Sequence, residues 1–283
     1  VQNLKFTYGF FLLIAPTPLA LSMAVSPSLA ATLGNSEAEV RIYHFSHTPS
    51  DISILAETFT NAVATDGLAI AEANNDITVV TDPFSADNTS FSRANGNGSV
   101  YSGLAQSRAA IIGYDFLVDP GQTFSFNFDA ALNLATSIDD PKFEATNVTG
   151  NISLSLYNTT NQNNWILLDS FTLTGNIATA NNNDYLNYDT GISFTLNPRE
   201  TTFDTSFGGN QESARASTHG IFSRLFDSLT SLTLVEVKTN QADISSTGSS
   251  VPVPEPSNVL GSLLCILGLG YRITSKAFRA TRL

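Results

Sequence analysis

Phe124-Ser125-Phe126-Asn127-Phe128-Asp129 alternates a large apolar side chain with a small or polar one. Successive side chains of a strand point to opposite faces, so one face carries three phenylalanines and the other Ser125, Asn127 and Asp129. The same period recurs along the chain. Ile152, Leu154 and Leu156 alternate with Ser153, Ser155 and Tyr157, and Phe171 and Leu173 with Thr172 and Thr174. Ile192, Phe194 and Leu196 alternate with Ser193 and Thr195. Period two with Phe, Ile, Val and Thr enrichment is the half-buried strand pattern. Residues 40–45, 77–80, 107–118, 165–169 and 220–226 read the same way. Residues 232–237 read as a final strand whose face switches between Leu234 and Val235, which predicts a bulge there.

Turn-rich clusters separate these runs: Asn95-Gly96-Asn97-Gly98, Asp119-Pro120-Gly121, residues 158–164, Asn181-Asn182-Asn183-Asp184 and Gly208-Gly209-Asn210. Asn and Gly tolerate left-handed backbone and close turns locally. Many short strands with such punctuation predict an all-β fold, an antiparallel β-sandwich of jelly-roll-like type. One segment dissents. Residues 51–72 are Ala-rich, with Ile52, Leu55, Phe59 and Val63 at helical spacing, so a helix is predicted over 51–60, with Ser50-Asp51 as its cap.

The charge is unevenly spread. All 25 acidic residues lie between Glu37 and Glu255, whereas five of the 13 basic ones sit at the two ends: Lys5, Arg272, Lys276, Arg279 and Arg282. The stretch between opposes eight basic residues to 25 acidic ones. Such a surface repels nucleic acid and anionic lipid and stays soluble. The single cysteine, Cys265, lies in the C-terminal apolar run, which excludes a disulfide framework or thiolate metal site from the body.

The N-terminus has a basic residue (Lys5), an apolar run over 6–25 and the small residues Ser28, Ala30 and Ala31. This is a secretory signal pattern over 1–30, with a helical apolar stretch and cleavage between Ala30 and Ala31. The C-terminus has three parts in order. Pro252, Pro254, Glu255 and Pro256 make a stiff extended segment; residues 259–271 are apolar; Arg272, Lys276, Arg279 and Arg282 follow with no acidic residue. Basic residues beyond an apolar span stay cytoplasmic, so the body faces outward. This order resembles the PEP-CTERM sorting domain, with Pro254-Glu255-Pro256 as its motif, the helix from Val259 as its transmembrane segment and the basic end as its stop. The resemblance covers residues 252–283. It implies recognition by an exosortase-like membrane protease, a transient stay at the inner membrane, and release to the cell surface or exopolysaccharide matrix. The 13-residue apolar run spans about 20 Å as a helix, short of a bilayer core of about 30 Å, which suits a transient anchor. The expected organisation is a signal peptide (1–30), a β-sandwich body (31–240), a Ser/Thr/Gly-rich linker (241–251) and the sorting tail.

Chemical motifs are sparse. His44 and His47, with Asp51 nearby, can converge on a metal only from a loop, because strand spacing sends their rings to opposite faces. No G-x-S-x-G elbow surrounds a serine, and no Gly-rich phosphate loop precedes a helix. Asp139-Asp140 and Asp184 lack the spacing of a calcium loop and read as turn formers. No cofactor and no metal site is expected. The leading expectation is a non-enzymatic surface or matrix protein associated with extracellular polysaccharide. A carbohydrate-binding sandwich is the alternative, recognisable if Trp165, Tyr157, Tyr185 and Tyr188 line one surface. A secreted hydrolase is a further alternative, recognisable by two carboxylates converging at about 5–10 Å.

Overall fold

The computed structural model describes residues 31–179 and 183–248. The signal segment up to Ala30, the Pro-Glu-Pro motif, the apolar tail and its basic residues lie outside them. The described residues form eleven strands and no helix: β1 (Ala31–Tyr43), β2 (Asp51–Thr81), β3 (Phe84–Val118), β4 (Gln122–Ser137), β5 (Glu144–Asn158), β6 (Ile166–Thr179), β7 (Tyr185–Thr190), β8 (Phe194–Leu196), β9 (Thr202–Ser206), β10 (Gln211–Phe226) and β11 (Thr230–Ser246). The all-β reading holds. Every pairing is antiparallel, and the hydrogen-bonded path β7-β6-β5-β11-β3-β1-β4-β10-β8 is continuous, with β2 added to β3 and β9 to β10.

Strand β3 makes this one sheet rather than two. Its first half pairs with β1 from Ala86 to Asn97, and its second with β11 from Tyr101 to Val118. Between them lie Gly98 at φ 121° and its partner Gly67 at φ 112°. Side chains rarely adopt this backbone, and a Cβ on Gly98 would lie 2.4 Å from the Asp66 carbonyl. The β2–β3 hairpin bends there and carries β3 from one half of the molecule to the other. The sheet folds on itself, with β1, β4 and β10 facing β11, β5 and β6 across the core, and it nearly closes where β7 approaches β9.

The aromatic half of the core follows from the opening motif. Phe124, Phe126 and Phe128 are fully buried, as are Leu154, Leu156, Phe171 and Leu173. The Phe126 ring stacks on Phe222 at 5.2 Å, and Phe128 meets Phe171 of the facing half at 4.9 Å. Each such side chain contributes about 2–3 kcal/mol of burial. Toward β1, β3 and β11 the interior turns polar, with Ser36, Asn88, Ser90, Ser92, Ser107, Glu236, Lys238 and Asn240 all buried.

Several expectations are corrected. The predicted helix over 51–60 is the start of β2, which pairs with β3 along its whole length. The long β3 offers an open row of backbone donors and acceptors, and β-branched Ile52, Ile54, Thr58, Thr60 and Val63 suit a strand. The apolar stripe at helical spacing has no core to meet, since residues 53–68 are exposed. Asn95–Gly98 is a bend inside β3 and not a chain reversal. Ile192 is 97% exposed because a turn closed by the Phe194 N–H on the Gly191 carbonyl precedes the short β8. The predicted switch of face at Leu234 and Val235 is absent: β11 keeps one buried face through Leu234, Glu236 and Lys238, and the extra residue opposite Leu232 and Leu234 lies on β3 between Gly113 and Phe116. Residues 241–246, expected in the linker, continue β11 with Ala242 and Ile244 buried.

Candidate functional site

The seam where the sheet nearly closes is the most ligand-like surface among the described residues. Strand β7 pairs only with β6, and β9 only with β10, so each leaves an edge open toward the other. No ladder bridges them; instead Tyr188 of β7 stacks on Phe203 of β9, centroids 5.2 Å apart and planes at 24°. A groove of about 530 Å³ runs along this seam. Its aromatic lining is Tyr185, Tyr188, Phe203 and Phe207, each 41–50% exposed, and its polar rim is Asp184, Asn187 and Thr205. Leu186, between the two tyrosines, lines the groove as well and packs against the core. The rim is held in place: Asp184 Oδ1 accepts the Ala178 N–H at 2.8 Å, and Asn176 Nδ2 donates to the Asn183 carbonyl at 2.8 Å.

Exposed aromatic faces beside amide, carboxylate and hydroxyl groups suit a ligand that is apolar on one face and hydroxylated at its edge. Sugar rings have that character: their C–H faces stack on aromatic rings while their hydroxyls take hydrogen bonds. A second hollow of about 350 Å³ involves Glu57, Phe59, Gln106, Arg108, Thr239 and Gln241. It has one aromatic residue and offers no stacking pair.

The expected aromatic set is split. Tyr185 and Tyr188 reach the seam, whereas Trp165, 46% exposed, meets Tyr114 at 6.4 Å and Tyr157 at 6.1 Å in another cluster. Phe203 and Phe207 were missed in the sequence because the Thr/Ser-rich run around them has no strong alternation.

The histidines do not converge. His44, at φ 55°, lies 3.3 Å from Asn127 Nδ2; His47 bonds Ser46 at 2.8 Å and Gln122 at 3.1 Å. Asp51 caps its own strand by accepting the Ile52 N–H at 2.9 Å. Among the described residues no three His, Cys, Asp or Glu side chains assemble as a metal site. Asp139 and Asp140 build a turn, their N–H groups donating to Glu144 Oε2 at 2.7 and 3.0 Å.

His219 has structure around it. Its Nδ1 lies 2.8 Å from Asp129 Oδ1, its register partner on β4, and 3.4 Å from the Tyr43 hydroxyl. Burial, with Asp129 beside it, raises the Tyr43 pKa. Asp–His is half of a nucleophile-activating relay, but the described hydrogen bonds of His219 reach no serine, threonine or cysteine.

Compared with known protein families, curated proteins and solved structures, the chain matches none of them.

Proposed function

We propose that this chain is an exported, non-enzymatic protein of the cell surface or extracellular matrix whose β body holds polysaccharide in the seam between β7 and β9. The observation that carries the reading is the exposed aromatic groove of Tyr185, Tyr188, Phe203 and Phe207 with its polar rim. Charge selects among glycans: a body rich in acid repels acidic polymers, which favours neutral ones. Export is supported by the signal pattern. The sorting role rests on Pro254-Glu255-Pro256, the apolar run and the basic end, read by an exosortase-like protease at the inner membrane. The jelly-roll-like path belongs to the same reading, since β4 to β5 and β10 to β11 each cross between the facing halves.

Two experiments test it. Isothermal titration of the secreted protein with neutral oligosaccharides, against charged ones, is expected to give binding that Tyr188→Ala and Phe203→Ala each weaken; silence across both sets overturns the binding role. Mass spectrometry of both ends of surface-exposed protein is expected to find Ala31 first and the basic tail gone. An intact Arg282-Leu283 end on that material overturns the sorting role.

A further inference from the structure

Lys238 is fully buried, and so is Glu236, its neighbour on the inward face of β11. Across the core, Asn88 on the first half of β3 is 1% exposed. These three groups form a connected set. Asn88 Nδ2 donates to Glu236 Oε2 at 2.7 Å. Lys238 Nζ donates to the main-chain carbonyl of the same Asn88. The described ion pairs of the molecule are Arg41–Asp87 and His219–Asp129, so Lys238 and Glu236 lie in one pocket without a direct salt bridge. Two buried polar atoms in this pocket have no hydrogen-bond partner, Asn88 Oδ1 and Glu236 Oε1. Asn240, next along the face, is by contrast saturated: Ser36 donates to its Oδ1 at 2.8 Å and its Nδ2 donates to Ser90.

An isolated buried ammonium is costly, and so is a buried carboxylate without a partner on one oxygen. Burial moves both groups toward their neutral forms, against the attraction between their charges. Burial pushes the Lys238 pKa down and the Glu236 pKa up. A neutral amine is a nucleophile, a carboxamide is an acyl group, and a carboxylic acid hydrogen-bonded to the carboxamide nitrogen is a proton carrier at the leaving group. The fold gathers all three in one buried pocket, the amine on the main-chain carbonyl of Asn88 and the carboxyl on its side-chain amide, and such confinement is the condition under which effective concentration drives an otherwise slow acyl transfer.

We propose that Lys238 and Asn88 join through an intramolecular amide bond, with Glu236 as the catalytic proton carrier. The Nζ lone pair attacks Cγ of Asn88 and a C–N bond forms. Glu236 takes a proton from Nζ and delivers one to Nδ2. The Cγ–Nδ2 bond breaks and ammonia leaves. Nothing is oxidised or reduced, and the carboxyl ends in the state in which it began. The product ties the two facing halves of the sheet together. Asn88 lies opposite Val40 of β1, and Lys238 lies between Ala109 of β3 and Ile152 of β5. A body without cysteine thereby gains a covalent staple that needs no oxidant.

The test is peptide mapping of the folded full chain by mass spectrometry. Trypsin does not cut at an acylated lysine, so the expected product is a branched peptide joining residues 42–93 to residues 225–272, lighter than the sum of its parts by one ammonia. Glu236→Gln and Lys238→Arg are expected to abolish it while circular dichroism stays that of the wild type. Should Glu236→Gln not fold, Lys238→Arg carries the same test. Asn240→Ala is expected to keep the branch. Two linear peptides at full mass from the folded wild type overturn the proposal. A branch that maps to Asn240 overturns it as well. So does ammonia loss without a branch, which marks ring closure of an asparagine.

Discussion

Asn88 and Glu236, 148 residues apart in the chain, meet inside the core with the amide donating to the carboxyl at 2.7 Å. The meeting puts a carboxyl group where no water reaches it, and pH reads that placement. Burial raises the Glu236 pKa above its ordinary 4.5, and the nearby positive charge of Lys238 opposes the rise. Lys238→Met removes that charge and also any cross-link. A group whose pKa is raised by folding favours the folded state while protonated, so its contribution is lost as pH rises above the ordinary glutamate range. Urea unfolding of Lys238→Met is therefore expected to weaken between pH 5 and pH 8 by about 3 kcal/mol. The double change Lys238→Met, Glu236→Gln is expected to be flat over the same interval. A flat single variant would show that Glu236 ionises as freely inside as outside.

The cross-link has its own energetic signature. Closing a loop of 150 residues removes conformational freedom from the unfolded chain, worth about 5 kcal/mol in the chain-entropy treatment of disulfides. Wild type is expected to unfold at markedly higher temperature than Lys238→Arg, and to resist reducing agents unchanged. Equal melting temperatures for a linked and an unlinked preparation would contradict this.

At the seam, Tyr188 and Phe203 stack on each other and together present one aromatic surface. Each ring contributes about 1 kcal/mol of stacking, so each alanine variant is expected to lower glycan affinity about fivefold. Because the rings touch, the double variant is expected to lose less than the product of the two single losses. Trp165→Ala, in the other aromatic cluster, is expected to leave affinity unchanged; titration of wild type and the four variants with one oligosaccharide decides it.

The parts of the fold legible in the sequence are those where one face is apolar and the other wet. Phe124, Phe126 and Phe128 announce β4 because their alternation coincides with burial. Strand β2 was hidden by the opposite condition. Residues 53–68 are exposed on both faces, so no alternation distinguishes inside from outside, and Ala-rich composition imitates a helix. In β11 the misleading feature was polarity itself. Val235 and Val237 look like core positions and Glu236 and Lys238 like surface ones, yet the buried face of Leu232 and Leu234 continues unbroken through the charged pair. Of the seam groove, Tyr185 and Tyr188 could be named from the sequence. Their convergence with Phe203 and Phe207 depends on β7 and β9 becoming the last two edges of the sheet, which composition does not reveal.

The core end of β4 gives the simplest stability test. Phe126 packs against Phe222 at 5.2 Å and Phe45 at 5.3 Å, with no solvent exposure. Phe126→Ala loses transfer energy and leaves a cavity lined by rigid rings, for an expected loss of about 3–5 kcal/mol in chemical denaturation. Phe126→Leu is expected to lose less than half of that.

The bend of the hairpin decides whether the sheet folds back on itself at all. Gly67 and Gly98 face each other across the ladder, both at positive φ, and a Cβ on either meets the opposite backbone: 2.0 Å to the Asn97 carbonyl from Gly67, 2.4 Å to the Asp66 carbonyl from Gly98. Strain from the dihedral alone is about 1 kcal/mol or more. Contact with main chain cannot be relieved by rotating a side chain, so the bend must open. Opening it moves the first half of β3 away from β11, and with it Asn88 away from Lys238. Gly98→Val is therefore expected both to destabilise the protein by about 2–4 kcal/mol and to slow or abolish the branched peptide. Gly208→Ala, at φ 85° with open space around its Cβ position, carries the dihedral strain without the collision. It is expected to cost about 1 kcal/mol and to leave the branch intact. Thermal melts and peptide mapping on the two variants separate a general loss of stability from a specific loss of the facing geometry.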